Sequence, residues 1–494
     1  MIVLYNPLST TPGKQPLPLS MMALAAVLGD EHRWTLIDGN VEMDPAEAIG
    51  AALSANTSGR SGNPLLAVTV MPGPQLTQAI TVCRRVKQAL PHVPIVWGGY
   101  FPTQHTDVVL GSPHVDFVIR SQGEGPLLDL IHALESGGSL ASVGALSWKQ
   151  GTTIVHNPIP PPTPLEDLPD PPYDRVDMPR YLHRNYLGRR TVAYNSSFGC
   201  PFACSFCAVV AMSNRRWIAQ SPARMDRTLR CLTTTYGVDA VQMHDMDFFI
   251  SEARTAEFAR RIGDLSLSWW ALGRVDALMQ YSNSTWRAMA RSGLKMVFSG
   301  AEAASDERLS AMNKGGRAAA ALTLELARRM RDYGVIPEFS FVIGAPPDPA
   351  GDVEATFAFI RRLKKINPAT EIVLYTYTPV PMDGPLYAGA RSLGFAFPES
   401  LEAWAAPEWQ QLSMRRGDGI PWIDRRLRRR VRNFERVINA YYPTATDRRL
   451  TSVHRIALRA ASAWRYALRW YDAPYELRAL HRLIRYQRPE TTGF

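Results

Sequence analysis

The most reactive side chains of this sequence are three thiols that lie close together. Cys200, Cys204 and Cys207 stand in the stretch FGCPFACSFCAVV, directly after a strand-like segment. Their C-x3-C-x2-C spacing brings three thiolates onto one tight loop, and Cys thiolates are the usual ligands of iron–sulfur clusters. Three ligands on a four-iron cluster leave one iron open, and an open coordination position is typical of catalytic metal sites. The spacing therefore predicts a [4Fe–4S] cluster with one catalytic iron.

A zinc site is the structural alternative for the same thiols. It would need a fourth ligand, and His244 is the most convenient one. Zinc sites are usually built from two separated C-x2-C pairs, and this sequence contains no second pair. The other two cysteines, Cys83 and Cys231, fall in helical patterns, and Cys83 is expected in a core. The sequence favours the cluster.

The composition predicts a globular protein of two or three domains. The chain has 494 residues, of which 46% are hydrophobic and only 20% are charged, and this length exceeds one ordinary core. Five cysteines, three of them clustered, do not make a disulfide framework. The sequence shows neither a signal-peptide pattern nor an apolar run of about 18 residues, so we expect a cytoplasmic protein without a spanning helix.

Residues 1–150 alternate between strand-like and helical patterns. The strand-like runs are short, apolar and β-branched or aromatic: IVLYN, RWTLID, LLAVTV, PIVWGG and DFVIRS. Strands that alternate with helices indicate βαβ units, so we expect a doubly wound, Rossmann-like parallel sheet. The stretch GALSWKQGTTIVHNP is predicted to close this domain as a hairpin.

A second alternating region follows a proline-dense linker at residues 151–185. Its strand-like runs over residues 186–400 are TVAYNSSFG, AVQMHDMDFF, SWWALGRVD, KMVFSGAE, PEFSFVIGAP and EIVLYTYTPV. Six βα repeats are too few for a closed eightfold barrel, so they predict an open, partial barrel. Residues 401–494 are predicted to form a basic helical region. The three cysteines follow the first barrel strand, where parallel α/β folds place their sites.

The cysteine pattern also resembles a family signature. C-x3-C-x-aromatic-C, with Phe206 as the aromatic residue, is similar to the motif of the radical S-adenosylmethionine (SAM) enzymes. The resemblance implies that the open iron chelates SAM. It further implies that an electron from the cluster cleaves SAM to methionine and a 5′-deoxyadenosyl radical, which abstracts hydrogen from a small-molecule substrate.

Five further motifs, at the ends of the later barrel strands, resemble the same family. They are HDMDFF, WWALGRVD, FSGAE, VIGAPPD and YTPVPMDGPLY, in the order in which the family carries its own. The resemblance implies that Glu302 binds the ribose hydroxyls of SAM. The full set of residues implied to surround SAM is Phe206, Asp245, Asp247, Arg274, Glu302 and Gly344.

The N-terminal region resembles that of a subfamily. A doubly wound domain ahead of such a barrel is similar to the cobalamin-binding radical SAM enzymes, which include the anaerobic magnesium-protoporphyrin ester cyclase and cobalamin-dependent methylases. Glycines at strand ends let the backbone approach a bulky ligand, as in VWGGYFPT and SQGEGP. The implied cobalamin residues are Met71, Gln75, Gly98, Gly99, Tyr100, Gln122, Gly123, Glu124 and Gly125. The D-x-H-x-x-G motif is absent, which implies a cobalt without a lower protein histidine.

The resemblance implies a cobalamin-dependent enzyme that transfers a methyl group from methylcobalamin to an unactivated carbon. An oxidative cyclase, or a rearrangement or ring-forming enzyme of the same family, is the enzymatic alternative. An iron–sulfur electron carrier or a cobalamin sensor is the non-enzymatic one. The motifs identify neither the substrate nor a catalytic side chain beyond the ligands.

The net charge of +10 comes largely from arginines after residue 414. An amphipathic helix is predicted over 453–471, with the apolar residues Val453, Ile456, Ala460, Trp464, Ala467 and Tyr471 and with Arg455, Arg459, Arg465 and Arg469 on the remaining surface. We expect the apolar stripe to pack on the protein itself. The alternatives are a docking surface for an acidic flavodoxin or ferredoxin that delivers electrons, and contact with a membrane. Nucleic acid is not expected, because no reading module accompanies the charge.

Overall fold

Two parallel sheets and a helical C-terminal region make up the chain. The computed structural model describes residues 1–10, 13–55, 63–314, 319–413, 415 and 417–484. Its strands are β1 (Ile2–Asn6), β2 (Trp34–Asp38), β3 (Leu65–Thr69), β4 (Ile95–Gly98), β5 (Phe117–Ile119), β6 (Leu146–Gln150), β7 (Thr153–His156), β8 (Thr191–Tyr194), β9 (Ser197–Gly199), β10 (Trp217–Ala219), β11 (Ala240–Met243), β12 (Ser268–Arg274), β13 (Leu294–Glu302), β14 (Ile336–Ile343) and β15 (Glu371–Thr376).

The helices connect and cover these strands. They are α1 (Leu19–Leu28), α2 (Pro45–Ser54), α3 (Pro74–Ala89), α4 (Tyr100–Gln104), α5 (Thr106–Gly111), α6 (Glu124–Ser136), α7 (Val209–Ser213), α8 (Pro222–Tyr236), α9 (Glu252–Arg261), α10 (Val275–Gln280), α11 (Asn283–Arg291), α12 (Asp306–Ala311), α13 (Ala320–Asp332), α14 (Pro349–Ile366), α15 (Pro385–Ser392), α16 (Leu401–Trp404), α17 (Pro407–Ser413), α18 (Arg425–Tyr441), α19 (Ser452–Leu468) and α20 (Tyr475–Leu483). In the described part of the chain, none of these helices has the length and apolar content that crossing a membrane requires.

The N-terminal sheet has the order β2-β1-β3-β4-β5-β6-β7. The first five of these strands pair in parallel, and β6 and β7 add an antiparallel hairpin at one edge. Strands such as β1 are buried along their whole length because helices cover both faces of the sheet. The predicted doubly wound sheet and its closing hairpin are confirmed. Cys83 lies in the core of this domain, as the sequence predicted. It accepts a hydrogen bond from Trp97 Nε1 at 3.3 Å.

The second sheet has the order β15-β14-β13-β12-β11-β8, with every neighbouring pair parallel. Six strands form an open barrel, which confirms the predicted architecture. Trp270, Met296 and Ile336 belong to a small apolar cluster that also holds Leu187 and Ala240. A much larger core packs the other side of the sheet against the helices. The strand ends that carry the predicted site are thereby held from both sides.

The C-terminal region is helical as predicted, but the predicted packing of its apolar stripe is wrong except at Tyr471, which is buried against Phe434. Val453, Ile456 and Trp464 of α19 are exposed, whereas Leu458 and Tyr466 are buried. The stripe faces outward because α19 packs on α18 through the opposite face. Residues 485–494 of the predicted helical region lie outside the described residues.

Arg465 is the second correction in this helix, because it is buried and not on the surface. Its guanidinium donates hydrogen bonds to the carbonyl oxygens of Asp472 and Ala473, at 2.6 and 3.2 Å, and pairs with Glu476. An arginine at the end of a helix can therefore anchor the turn that follows, a use that helical spacing alone does not reveal.

A segment that joins the barrel to the basic helices also bridges the two sheets. We call residues 395–413, 415 and 417–423 the bridging segment. Trp404 packs edge-on against Phe101 of the N-terminal domain, with 5.1 Å between the ring centroids. Trp422 contacts Tyr377 of the barrel, with 6.1 Å between the ring centroids. The contacts between these ends run through Phe395 and Phe397. This series of aromatic contacts fixes one sheet relative to the other, and no sequence pattern predicted it.

Candidate active site

The three cysteines lie on a loop whose base is a short antiparallel ladder. Strand β9 pairs with β10, with Gly199 opposite Trp217, so the chain leaves and returns at one place. Gly199 has φ +80°, and a Cβ there would overlap the carbonyl oxygen of Arg216 and come within 2.6 Å of Ser213 Cβ. Only glycine fits this position without moving the backbone that leads into Cys200.

The segment at residues 312–314 holds the loop from the other side. The backbone N–H of Ser205 donates to the carbonyl oxygen of Met312 at 2.9 Å, and Asn313 Nδ2 donates to the carbonyl oxygen of Ala203 at 2.8 Å. Cys204 Sγ lies 3.9 Å from the carbonyl oxygen of Lys314. The cysteine loop is therefore fixed against the end of β13 and the helix that follows it.

We expect the substitution Gly199→Ala to prevent the loop from holding iron. The added methyl group has no room, so the ladder between β9 and β10 must shift and displace Cys200. Gly334→Ala is the matched control, since Gly334 also has a positive φ of +70° but its Cβ would meet nothing within 4 Å. Iron content after anaerobic reconstitution measures the difference. Equal iron in both variants would contradict this prediction.

The three thiols are free and largely buried. Burial raises the pKa of Cys200 to about 12, and it also raises the pKa of Cys204, which Lys314 and Arg274 oppose. Burial raises the pKa of Cys207 as well, and Arg415 of the bridging segment acts in the opposite direction. Cationic side chains thus surround a loop whose metal-bound form carries negative charge. Without metal, these thiols hold their protons, so cluster binding must release them.

The described residues do not converge on a single-metal site. No three His, Cys, Asp or Glu side chains among them come together in a way that holds one ion. In a four-iron cluster each thiolate binds a different iron, so the thiols need not converge on one point. His244 does not complete a zinc site either: its Nε2 atom is buried without a partner, and its ring lies beside Trp270 at 5.9 Å between centroids. The donor set fits a cluster better than zinc.

Arg274 connects the cysteine loop with the third barrel strand. Its guanidinium makes a bidentate ion pair with the buried Asp276, both bonds being 2.9 Å long. It also donates to Cys204 Sγ at 3.5 Å and to the carbonyl oxygen of Lys314 at 2.7 Å. Phe202 covers the planar face of the guanidinium at 3.7 Å. Arg274 therefore positions a cluster cysteine, and its predicted contact with SAM stays a prediction.

Glu302 sits at the end of β13 in a backbone conformation with φ +62°. The register of β13 against β14 shifts between Gly300 and Glu302, which turns the carboxylate into the site. Lys314 Nζ donates to Glu302 Oε1 at 2.7 Å and to the carbonyl oxygen of Gly300 at 2.8 Å, and both side chains are buried. Sequence reasoning missed Lys314, because no spacing rule relates it to Glu302.

The two aspartates after β11 have different surroundings. Asp245 accepts hydrogen bonds from the hydroxyl groups of Ser196 and Ser197, so it orders the start of the cysteine loop. Asp247 Oδ1 accepts from the N–H of Phe249 at 3.2 Å, while Oδ2 is buried without a partner. Burial raises the pKa of Asp247 to about 7. The unpartnered oxygen of Asp247 fits a polar ligand group, whereas the carboxylate of Asp245 is already satisfied.

Gly344 and Phe206 are the remaining two residues predicted to surround SAM. The N–H of Gly344 donates to Asp352 at 2.7 Å, and its carbonyl oxygen accepts from Trp422 Nε1 at 2.9 Å. Ile423 covers Gly344, since a Cβ there would come within 2.8 Å of its side chain. Phe206 is partly buried and packs against the barrel core. The structure brings Gly344 near the bridging segment, and the roles of both residues toward SAM stay predictions.

The residues predicted for cobalamin lie along one edge of the N-terminal sheet. They follow the carboxyl ends of β3, β4 and β5, which are neighbours in the sheet. Gly99 has φ +95°, and a Cβ there would come within 3.0 Å of Thr69 Oγ1. Met71 is 43% exposed at this edge, and the buried Nε2 atom of Gln104 in α4 has no partner. The glycine allows close approach to the backbone at this edge, and the amide of Gln104 offers an unused hydrogen-bond donor. Both features fit a bulky polar ligand.

Two of these residues use their amides inside the protein. Gln75 accepts a hydrogen bond from the N–H of Met71 at 2.9 Å and donates to Asn6 Oδ1 at 3.2 Å. Gln122 exchanges two hydrogen bonds with the backbone of Thr163 in the proline-rich linker. These two side chains therefore shape the edge. Gly98, Tyr100, Gly123, Glu124 and Gly125 lie along it half-buried.

The cobalamin edge and the cysteine loop face each other directly. Helix α4, which begins at Tyr100, packs against α7, which follows Cys207. Ser121 Oγ donates to the carbonyl oxygen of Met212 at 2.6 Å across the same contact. The carboxyl ends of both parallel sheets therefore open toward one shared region.

Comparison with known families agrees with both halves. Residues 6–131 match the B12 binding domain family, and residues 194–360 match the radical SAM superfamily. The chain is a B12-binding radical SAM protein. Together the two matched ranges span more than half of the chain, and the second one begins just before the cysteine loop.

Related proteins align with most of this chain. An uncharacterized methyltransferase of Pyrococcus horikoshii is 28% identical to this B12-binding radical SAM protein, over 70% of the chain and 73% of the relative. The anaerobic magnesium-protoporphyrin IX monomethyl ester cyclase of Synechocystis is 25% identical over 66% of the chain and 64% of the cyclase, just under two thirds of its length.

A solved structure shares the fold. The radical SAM methyltransferase TsrM from Kitasatospora setae, solved with cobalamin and a [4Fe–4S] cluster bound, aligns with a TM-score of 0.61 and 19% identity. The alignment covers 77% of this chain and 73% of TsrM. The B12-binding radical SAM protein therefore has the same two-sheet architecture.

A buried carboxyl inside the barrel makes the stability of this protein depend on pH. Glu338 accepts a hydrogen bond from Trp270 Nε1 at 3.2 Å, and burial raises its pKa from 4.5 to about 7. Between these values the folded chain holds a proton that the unfolded chain has lost. The free energy of unfolding therefore falls as the pH rises through this window, by about 3 kcal/mol in total, and levels off above pH 7.

The substitution Glu338→Gln is expected to reduce this dependence by the share that Glu338 contributes, while the share of Asp247, whose pKa is also raised to about 7, remains. The amide oxygen still accepts from Trp270, but no charge is buried at high pH, so the variant gains stability relative to the native chain above pH 7. Denaturation midpoints across the pH range measure it, and the exposed Glu399→Gln should leave the slope unchanged. A slope that persists undiminished in Glu338→Gln would show that other groups cause it.

Proposed function

We propose that this protein transfers a methyl group to an unactivated carbon with the help of cobalamin, SAM and a [4Fe–4S] cluster. One observation carries the proposal: the edge predicted for cobalamin packs directly on the loop of the three cysteines, through α4 and α7. A methyl donor and a radical generator must act on the same substrate carbon, so they must share one cavity. Two separate sites on opposite surfaces would not permit this chemistry.

The residues assigned to the cluster and to SAM are those of the barrel edge. Cys200, Cys204 and Cys207 would hold three irons, and the bound cluster supplies the electron that cleaves SAM. Arg274 holds Cys204 by its hydrogen bond and adds a positive charge beside the sulfur. Lys314 forms an ion pair with Glu302, and this pair balances the charge of the buried carboxylate. Asp247 offers an unsatisfied carboxylate oxygen to a polar group of SAM.

The residues assigned to cobalamin are those after β3, β4 and β5, and bound methylcobalamin supplies the methyl group. Gly99 lets neighbouring segments of backbone approach closely at this edge, because a Cβ at this position would crowd Thr69 and Val70. The bridging segment closes the same region from one side: Ser413 lies beside Gly73, and Trp422 and Ile423 cover Gly344. Such a cover excludes water and thereby strengthens the electrostatic interactions inside the site.

An oxidative cyclase is the second candidate. The similarity to three anaerobic magnesium-protoporphyrin IX monomethyl ester cyclases favours it. A methylase is preferred, because the relative described as a methyltransferase has the higher identity, 28%, and is itself covered over 73% of its length. The hopanoid C-3 methylase of Methylococcus capsulatus, 24% identical, supports the same choice. A rearrangement or ring-forming reaction has no comparable relative among these.

The remaining assignments are proposals of the same kind. We propose domains at 1–150, 186–400 and 401–494, joined by the linker at 151–185, and the two family matches fall inside the first two. Strand β7 extends the N-terminal sheet into the first residues of this linker. Radical SAM enzymes act on small molecules and need a reductant. We propose an acidic flavodoxin or ferredoxin as this reductant, a cytoplasmic location, and contact with a membrane through the C-terminal helices.

Product analysis tests the proposed function. Anaerobically reconstituted, reduced full chain is given SAM with and without hydroxocobalamin, and mass spectrometry measures 5′-deoxyadenosine and S-adenosylhomocysteine. A methylase forms both, and S-adenosylhomocysteine depends on cobalamin. Deoxyadenosine alone favours the cyclase. Neither product, from protein with a full iron content, overturns the proposal.

A further inference from the structure

Helix α19 exposes an apolar face that is opposite the face it packs with. This outer face of α19 consists of Val453, Ile456, Ala457, Ala460, Trp464 and Leu468. At about 100° per residue these positions share one side of the helix, while the buried Leu458 and Ser462 share the other. Val453, Ile456 and Leu468 are 73%, 69% and 69% exposed. The outer face is therefore apolar, and the described residues do not cover it.

The apolar surface continues beyond the end of the helix. Trp470 is half exposed and meets Trp464 edge-on, with 5.5 Å between the ring centroids. Tyr475 and Leu483 of α20 are 69% and 82% exposed. Of the twelve exposed large apolar side chains in the described part of the chain, seven lie between residues 453 and 483. Exposed apolar groups that gather in this way mark an interaction surface.

A cleft rich in arginine borders this surface. It lies between α18 and α20, has a volume of about 400 Å³, and is lined by Arg429, Arg432, Asn433, Arg436 and Arg478. Its described lining includes four arginines and no carboxylate. The guanidinium of Arg478 lies 5.2 Å from the ring centroid of the exposed Tyr475, so the cleft and the apolar surface are continuous. The surface thus combines anion recognition with an apolar contact.

We propose that the outer face of α19 and the arginine cleft together dock this protein on an anionic phospholipid bilayer. A bilayer offers phosphate groups to arginines and an apolar layer just below them to aliphatic side chains. Trp464, Trp470 and Tyr475 belong to the residue types that prefer the level between these layers. An acidic protein would pair with the arginines but would offer no apolar layer to Val453, Ile456 and Leu468. The proposal does not depend on the cofactors.

Vesicle flotation with the full chain tests the proposal. We expect the chain to float with vesicles of equal parts phosphatidylcholine and phosphatidylglycerol, to float less with pure phosphatidylcholine, and to detach as salt is raised. The triple variant Val453→Ser, Ile456→Ser, Leu468→Ser should bind about tenfold more weakly, because it removes the apolar contact. The double variant Arg429→Gln, Arg432→Gln should bind the anionic vesicles at least about tenfold more weakly. All these positions are exposed, so the chain should still fold.

Matched controls use similar residues elsewhere on the surface. Met43→Ser replaces an apolar side chain that is 97% exposed on the N-terminal domain. The double variant Arg287→Gln, Arg291→Gln removes two exposed arginines from α11 of the barrel. We expect both controls to float like the native chain. Every variant is also expected to form 5′-deoxyadenosine at the native rate, which separates this test from that of the proposed function.

Three results would overturn the proposal. The first is that the native chain does not bind anionic vesicles. The second is that the controls lose as much binding as the variants do. The third is that inorganic phosphate displaces the chain fully at an ionic strength at which sodium chloride does not, which would make the cleft a site for free anions. A native chain that does not float, but whose oligomer dissociates in the triple variant by light scattering, would show that the outer face of α19 contacts a second copy.

Discussion

The variant Cys204→Ala is expected to lose its cluster and to form 5′-deoxyadenosine only at background level. Cys204 is the most deeply buried of the three predicted ligands, and it accepts the hydrogen bond of Arg274. With it removed, only two of the three thiolates on the loop remain. Iron and sulfide content, together with the electron paramagnetic resonance signal of the reduced protein, measure the loss directly. Deoxyadenosine formation measures its consequence.

Cys231→Ala is the matched control for this experiment. Cys231 is an exposed thiol on α8 in the same barrel, and it lies outside the loop. We expect the control to keep the iron, the signal and the activity of the native chain. A Cys204→Ala chain that retains a full cluster, or a control that loses its own, would contradict the assignment of the three ligands.

The variant Arg274→Met is expected to lower the free energy of unfolding by about 3–5 kcal/mol, because it leaves one partner of a buried ion pair without its counterion. Asp276 is 6% exposed in its side chain, and both its carboxylate oxygens accept from Arg274. The same substitution removes the hydrogen bonds to Cys204 Sγ and to Lys314. Chemical denaturation of the full chain, followed by the fluorescence of the barrel tryptophans, measures the change.

Two further variants separate charge burial from loss of packing. Arg230→Met removes an arginine that pairs with Asp226 and Asp264 at 2.8 Å on the surface, and we expect no measurable loss because water screens such pairs. The double variant Arg274→Met, Asp276→Leu removes both buried charges and should recover much of the stability. An equal loss in the double variant would mean that packing, not the unpaired carboxylate, sets the cost.

Local sequence patterns predicted the architecture well. Runs such as IVLYN and PEFSFVIGAP are apolar and β-branched, and they became strands of the two parallel sheets that are buried along their whole length. The cysteine spacing likewise predicted one loop, since a loop of neighbouring residues requires no contact between distant parts of the chain. These features depend on neighbours in the sequence, and a single sequence contains that information.

The C-terminal region shows where local patterns were insufficient. Helical periodicity correctly predicted α19, but it could not tell which of two apolar sides packs, because that depends on where α18 lies. Trp404 and Trp422 joined the two sheets through aromatic contacts with residues as distant as Phe101. No periodicity encodes such contacts.

The sequence by itself determined the two folds, the cysteine loop and the residue types at the strand ends. Only the tertiary structure decided which of those residues act together: Lys314 pairs with Glu302, Arg274 holds Cys204, and Asp245 is satisfied by serines while Asp247 is not. The physical reason is that hydrogen bonds and ion pairs act over a few ångströms between parts of the chain whose proximity is fixed only by packing. Strand propensity, in contrast, is a property of each segment and its immediate neighbours.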